Sequence, residues 1–414
     1  MAKTTSPGAD ASAKTSALGV PAFRYLWLNS LSFFLVGNGL RFVYGWVVLD
    51  GLERGEAWQG FVVFVLGVPS FFLLIPSGVW ADRLDPKRML IATQIALCAV
   101  MAGTAFALGS GSGSLTLLVV SATLAGSATA LGGPVRSALI PLLLDGDLLY
   151  GGIALNAIAI TFSLVLGAVT AKLAGDRFGF DGAFWYLAVL TIAGIVVVLP
   201  MRSPRRSTTR DRDTMRQAMG KGLSFVWSQR SIRTLFLLLS ISGLIVVPIM
   251  FVTVQAHIKE ELGRSAGDAA PVFALMGVGI AITSVFIMRR GSMANKSVAF
   301  MRSMMLVGVT LIVVGFSTEY WQVLALALVI GLCGGFFINM NQALIQSNTP
   351  PEVMGRVMGL YALVQVGMTP LGALILGFSA SAIGTGATIS IGAAIGFTIV
   401  VLVYVMSSSI REIN

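Results

Sequence analysis

Residues 202–230 read RSPRRSTTRDRDTMRQAMGKGLSFVWSQR, the longest polar stretch in a chain of 414 residues that is otherwise 56% hydrophobic and only 11% charged. A soluble domain carries about a quarter charged residues, so water cannot be the main solvent of this surface. On either side of the stretch lie apolar runs of about 20 residues, the length that crosses a bilayer core as a helix. Six precede it, at roughly 25–50, 58–80, 89–109, 115–143, 149–174 and 182–200. Six follow it, at roughly 233–257, 269–288, 298–316, 321–347, 356–379 and 385–406. The runs are continuous, unlike the alternating ten-residue strands of an outer-membrane barrel. The expected fold is an all-α membrane protein of twelve transmembrane helices in two pseudo-symmetric six-helix bundles.

The division follows: a tail at 1–22, a bundle at 23–201, a linker at 202–231, a bundle at 232–408 and a tail at 409–414. Within the linker, Met215, Met219, Leu223 and Val226 recur at helical spacing beside Arg216 and Lys221, the pattern of an amphipathic helix on a membrane surface. The first 22 residues lack the apolar core of a cleaved signal peptide. Of the 28 Lys and Arg, 22 fall on the side that carries both termini. This positive-inside bias predicts an inner-membrane protein with both termini cytoplasmic. It also assigns the net charge of +10 to topology and anionic lipid contact, not to nucleic acid.

The halves read as a diverged repeat at an offset of 205 positions, which aligns Arg136 with Asn341, Ala138-Leu139-Ile140 with Ala343-Leu344-Ile345, Asp147 with Glu352, Leu155 with Leu360 and Gly167 with Gly372. Carriers commonly place their site between such repeats. Thr349-Pro350-Pro351-Glu352 has the form of a capping box with prolines in the first turn, so a helix is expected to begin there.

Ionisable and amide side chains inside apolar spans are costly and mark candidate sites. Arg41 lies in span one and shares a helix face with Asn38; both are expected in a central cavity, the alternative for Arg41 being to snorkel outward. Arg136 ends span four, placed either to receive an anionic substrate or to pair with Asp82 or Asp145. Gln255, Asn339, Gln342 and Gln365 are further cavity candidates that equally serve helix packing. Lys172 reads as an interfacial snorkeller. None of the 18 acids falls at a span midplane, which leaves Asp50, Asp82 and the single histidine, His257, as candidates for proton coupling.

Cys98 and Cys333 both fall in spans and read as packing residues. No phosphate-binding Gly-rich loop, metal cluster or convergent nucleophile set occurs, so neither a cofactor nor an enzymatic activity is expected.

Between spans two and three, Gly78-Val-Trp-Ala-Asp82-Arg83-Leu-Asp85-Pro86-Lys87-Arg88 resembles the loop signature of the major facilitator superfamily, Gly-x-x-x-Asp-Arg-x-Gly-Arg-(Arg/Lys), with Asp85-Pro86 in place of Gly-Arg. GGPVRSALIPLLL at 132–144 and QSNTPPEVMGRVMGLY at 346–361 are similar to segments of its drug-efflux branch, the macrolide-efflux-like and enterobactin-exporter-like proteins. The resemblance implies a secondary carrier working by alternating access. It also implies a cytoplasmic gate of Gly78, Asp82, Arg83, Lys87 and Arg88, with Asp82 set against the start of span eleven, a contact of about 0.3–2 kcal/mol. The implied cargo is an amphipathic organic compound, a drug or siderophore, moved outward as in an antiporter. An uptake permease, a facilitative carrier and a lipid flippase are the alternatives within the fold. Span five departs from the antiporter pattern, with Gly167-Ala-Val-Thr-Ala-Lys172 where Gly-Pro is expected. The partners expected are a small-molecule substrate, membrane lipids and protons, and the chain is expected to act as a monomer.

Overall fold

Asp85-Pro86, the departure from the loop signature, turns out to be a helix start. The Asp85 carboxylate accepts the backbone N–H groups of Lys87 (2.9 Å) and Arg88 (3.2 Å), and Pro86 takes the first helical position, where no N–H is needed. The computed structural model in which this is seen describes residues 16–83, 85–145, 147–202, 215–290 and 296–406, with side chains for all of these but 74–83, 147, 150, 154, 215–219, 296, 351 and 352.

Every regular element among the described residues is helical. The first half comprises α1 (Pro21–Trp46), α2 (Glu56–Arg83), α3 (Pro86–Gly109), α4 (Leu115–Leu143) and α5 (Asp147–Val198). After the linker helix α6 (Met215–Ser228) come α7 (Arg230–Ile241), α8 (Val254–Glu260), α9 (Ala269–Arg290), α10 (Lys296–Val314), α11 (Tyr320–Ser347), α12 (Pro351–Ile383) and α13 (Thr385–Met406). Two of these labels hide the count of crossings. The apolar part of α5 runs for 48 residues, about 72 Å if straight, more than twice a bilayer core. It breaks at Gly179 (φ 82°, ψ 176°), a backbone that glycine adopts without penalty. Ala171 and Leu187 both pack on Gly39 of α1, so the chain doubles back at the break. Conversely α7 and α8 are one membrane span, joined through π-helical turns at Ser242–Val246 and Ile249–Thr253 on either side of Pro248. Eleven continuous apolar stretches thus make twelve crossings.

α12 begins at Pro351 as expected, but its cap is Pro350, whereas the Thr349 hydroxyl bonds back to Ile345 O (2.6 Å) in α11. α6 occupies Met215–Ser228. Gly222 lies against Arg356 and Leu360, and Val226 is buried, so this helix packs on the first turns of α12 while Leu223 and Trp227 stay exposed.

The cores divide the molecule unevenly. On the face opposite the termini, one cluster joins both halves, with Val36, Leu97 and Phe184 from the first and Phe251, Phe273 and Ile389 from the second. On the termini face there are two clusters. Phe23, Leu90, Leu139 and Met201 belong to the first half alone, and Leu235, Met340, Val357 and Tyr361 to the second alone. Among the described side chains, one core is shared by both halves on one face, and the clusters on the other face each belong to a single half.

Candidate functional site

Fusion rests on small residues. Along the crossing of α2 and α12, a Cβ on Gly60 would strike Ala373 O and Gly377, and one on Gly67 would strike Pro370. Along α5 and α9, Gly277 sits on Val165. Glycine lets the backbones touch, and dispersion contacts then hold helices that lipid does not push together.

Polar groups lock the same face. The Asp50 carboxylate, at the end of the first span, accepts hydrogen bonds from Trp46 Nε1 (3.0 Å), Ser265 Oγ (2.7 Å) and the Ala266 N–H (2.9 Å) and lies 3.6 Å from Lys259 Nζ. Lys259 also donates to Leu49 O. Lys172, expected to snorkel, instead pairs with Asp176 (2.6 Å) and reaches toward Asp268 of the other half (3.8 Å). Arg264 completes the array on Asp268 (3.0 Å). Beneath it, Gln59 Nε2 donates to Gln255 Oε1 (2.8 Å) against Gly45. Gln255 is therefore part of the seal.

Below the seal lies a cavity of about 160 Å³. The two π-helical turns build one wall with Ser242, Gly243, Val246, Met250 and Phe251, and Leu164 of the first half contributes another side. A π turn re-aims side chains and is frequent at functional sites. Pro248, which cannot donate within the helix, lies between the two. Met276, Met304, Gly334, Phe337 and Gln365 also line it. The lining holds no charged side chain, and its thioethers and rings suit varied apolar shapes.

Of the cavity candidates named from the sequence, Gln365 lines this space. Arg41 is exposed, makes no hydrogen bond or ion pair among the described residues, and lies one turn before Gly45 on the same helix face. That face looks toward Gln255 and the second half. Asn38 donates to Phe34 O (3.1 Å) and packs beside Gly167. Asn339 is held by Ser284 Oγ (3.0 Å) and Gly335 O (2.7 Å), and Gln342 is exposed. Arg136 is only 2% exposed. It donates to Gly132 O (2.8 Å) and Asn29 Oδ1 (3.2 Å), its guanidinium lies 3.6 Å from the Phe33 ring centre, and it meets no carboxylate among the described side chains. Asn29 in turn donates to Gln94 Oε1 and Gly194 O, both at 2.8 Å, so one polar knot ties four elements of the first half.

His257 is buried, with Nδ1 3.2 Å from Thr385 Oγ1 and Nε2 3.1 Å from Ser317 Oγ. Glu261, 3.5 Å away, accepts the Thr385 hydroxyl and the Gly386 N–H (both 2.6 Å) and so caps α13. Burial raises the Glu261 carboxyl, but those two hydrogen bonds and His257 outweigh it and hold it below the usual carboxylate value. Glu261, Gln59, Ser265 and Asp268 escaped the sequence reading because the partners that tie them across the fold, Thr385, Gln255, Asp50 and Lys172, lie on other elements. Of the residues expected to form a gate, Gly78, Asp82 and Arg83 have side chains outside the described residues. Lys87 Nζ donates to Leu199 O (2.6 Å), and Arg88 projects outward near Asp85 (3.9 Å).

A family model described as the Major Facilitator Superfamily matches residues 26–373 and 249–412. The multidrug efflux pump Tap of Mycobacterium tuberculosis (strain ATCC 25618 / H37Rv) is 24% identical over 413 residues, 95% of each chain. The staphyloferrin A transporter of Staphylococcus aureus (strain NCTC 8325 / PS 47) is 23% identical over 378 residues, 89% of this chain and 92% of that one. Among solved structures, a mutant of the nucleoside transporter NupG superposes with a TM-score of 0.76 at 12% identity, covering 93% of this chain and 99% of that one. A POT family transporter in complex with 5-aminolevulinic acid gives 0.72 at 13%, covering 95% and 96%. These two likenesses show the fold.

Proposed function

Since the chain belongs to the major facilitator superfamily and is a multi-pass, non-enzymatic carrier, we propose that it exports apolar and amphipathic organic compounds across the inner membrane by alternating access. The termini face is taken as cytoplasmic from the placement of Lys and Arg. The carrying observation is the uneven core among the described side chains: one cluster spans both halves on the outer face, two on the inner face each belong to one half, and an apolar cavity sits in the second half with Leu164 of the first against it. That arrangement supports an inward-facing rocker. Efflux is preferred over uptake because Tap is named an efflux pump and matches over 95% of the chain. The apolar lining selects by size and greasiness, and Arg41, facing the second half, favours an anionic over a cationic head.

Proton coupling is assigned to Asp50. Neutralising it removes the charge that Lys259 faces across the outer seal, so a proton from outside favours opening outward. Asp82 stays a candidate for the inner gate.

The test uses purified protein in liposomes with an imposed pH gradient and three fluorescent probes: neutral N-phenyl-1-naphthylamine, anionic 1-anilinonaphthalene-8-sulfonate and cationic ethidium. Gradient-dependent movement of the first two, and slower movement of ethidium, is expected. Movement of none of them, or of ethidium alone, overturns the reading. Accelerated exchange of a labelled phospholipid between leaflets would identify a flippase instead.

A further inference from the structure

Arg230 and Arg233 open α7 three residues apart and therefore share a helix face. Both are exposed, and neither has a carboxylate within ion-pair distance among the described residues. They stand at the rim of a groove of about 280 Å³ between the first turns of α7 and the last turns of α13. Further in, the walls become apolar: Leu237 on one side, Ile399 and Leu402 on the other. Leu237 and Leu402 are 46% and 51% exposed. The Trp227 ring lies 6.0 Å from the Arg233 guanidinium, an aromatic at the level where membrane proteins keep them.

The order of chemistries matches one ligand. Guanidiniums offer paired donors to a phosphate, and the apolar run starts about one helical turn deeper, where acyl chains start. A soluble anion would use the rim and leave the run unused. A neutral lipid would use the run and leave two charges unmatched. We infer that the groove binds an anionic phospholipid of the cytoplasmic leaflet, its phosphate between Arg230 and Arg233 and an acyl chain along Leu237 and Leu402. The site rests on the orientation assigned above but not on the direction or coupling of transport. Because it joins the first and last spans of the second half, occupancy stabilises that half.

Arg289 and Arg290, at the end of α9, provide the control. They are exposed and on the same face of the membrane, but as sequence neighbours they point to different helix faces and form no paired donor set. The experiment is thermal unfolding of the full chain in detergent, titrated separately with phosphatidylglycerol, phosphatidylcholine of the same acyl chains, and inorganic phosphate. Saturable stabilisation by phosphatidylglycerol alone is expected. The double variant Arg230→Gln/Arg233→Gln should raise its half-saturation concentration about twenty-five-fold, about fivefold per guanidinium, and Arg289→Gln/Arg290→Gln should leave it unchanged. If the double variant does not fold, either single variant reads the fivefold step. Equal stabilisation by phosphatidylcholine, or by phosphate alone, overturns the site. So does equal weakening in the two double variants, which would mean general attraction to an anionic surface.

Discussion

Arg136 and Asn341, 205 positions apart, occupy matching places in the two halves: each is buried, and each donates from the fourth helix of its half to the first. Arg136 reaches Asn29, and Asn341 reaches Leu235 O (3.3 Å). Gly167 and Gly372, a second pair at the same offset, repeat the relation, packing on Leu35 O of α1 and on Leu244 O of the seventh span. The repeat read from sequence is thus a repeat of contacts, though the two halves have diverged in charge.

That divergence predicts unequal sensitivity. Arg136→Ala leaves Asn29 Oδ1 without its donor and a void against Phe33, and should cost about 2–4 kcal/mol of stability. Asn341 has an oxygen with no partner among the described residues, so Asn341→Leu removes an unmet acceptor along with one weak bond and should change stability by less than about 1 kcal/mol. Thermal unfolding in detergent compares the two. A larger loss at Asn341 than at Arg136 would refute the account.

The outer seal should loosen when its central acid is removed. Asp50→Asn keeps acceptors for Ser265 and Trp46 but loses the charge opposite Lys259, and should raise the outward-open population about fivefold. Ala266 is fully buried at this seal. Labelling of Ala266→Cys by an impermeant maleimide, in a background with Cys98 and Cys333 replaced, reads the change.

Filling the cavity should separate binding from folding. Gly334 lines it and has nothing within 4 Å of where a Cβ would stand. A Cβ is therefore accommodated and the rest of a leucine is expected to enter the cavity, so Gly334→Leu should gain about 0.5–1 kcal/mol of helix stability over glycine and weaken binding of N-phenyl-1-naphthylamine at least about tenfold by occupying its space. Fluorescence titration beside thermal unfolding would show both. Lower stability with unchanged binding would mean that the space is not the site.

Acid should uncap α13. Glu261 is held below its usual value in the fold, so its contribution is fully present above the unfolded value, about pH 4.3, and disappears as pH falls through the lower folded value. In Glu261→Gln the melting temperature should lose that part of its acid-side decline. Parallel curves for variant and parent between pH 3 and 7 would deny the cap its role.

Much of the architecture is readable from the residues alone. Lipid as solvent forces every spanning backbone into helix, so apolar length alone yields twelve crossings, and the position of Arg202–Arg230 divides them. The α3 start is written in Asp85-Pro86, a cap signature that a family pattern makes look like a defect. The site is less readable. Arg41 and Gln365 stand out because polar groups in apolar runs are conspicuous. Gln255 is equally conspicuous, yet its partner Gln59 lies 196 positions away, and that distance makes it a lock.

What the sequence by itself determined is the set of helices, their number and their pairing into two halves, because hydropathy and caps act within a few residues of their source. What the tertiary structure decided is which residues tie the halves together across the face opposite the termini. Asp50 meets Ser265 across 215 positions, and Gly60 meets Gly377. Such contacts depend on how two rigid bundles lean together, and a linear pattern of residues does not encode that angle.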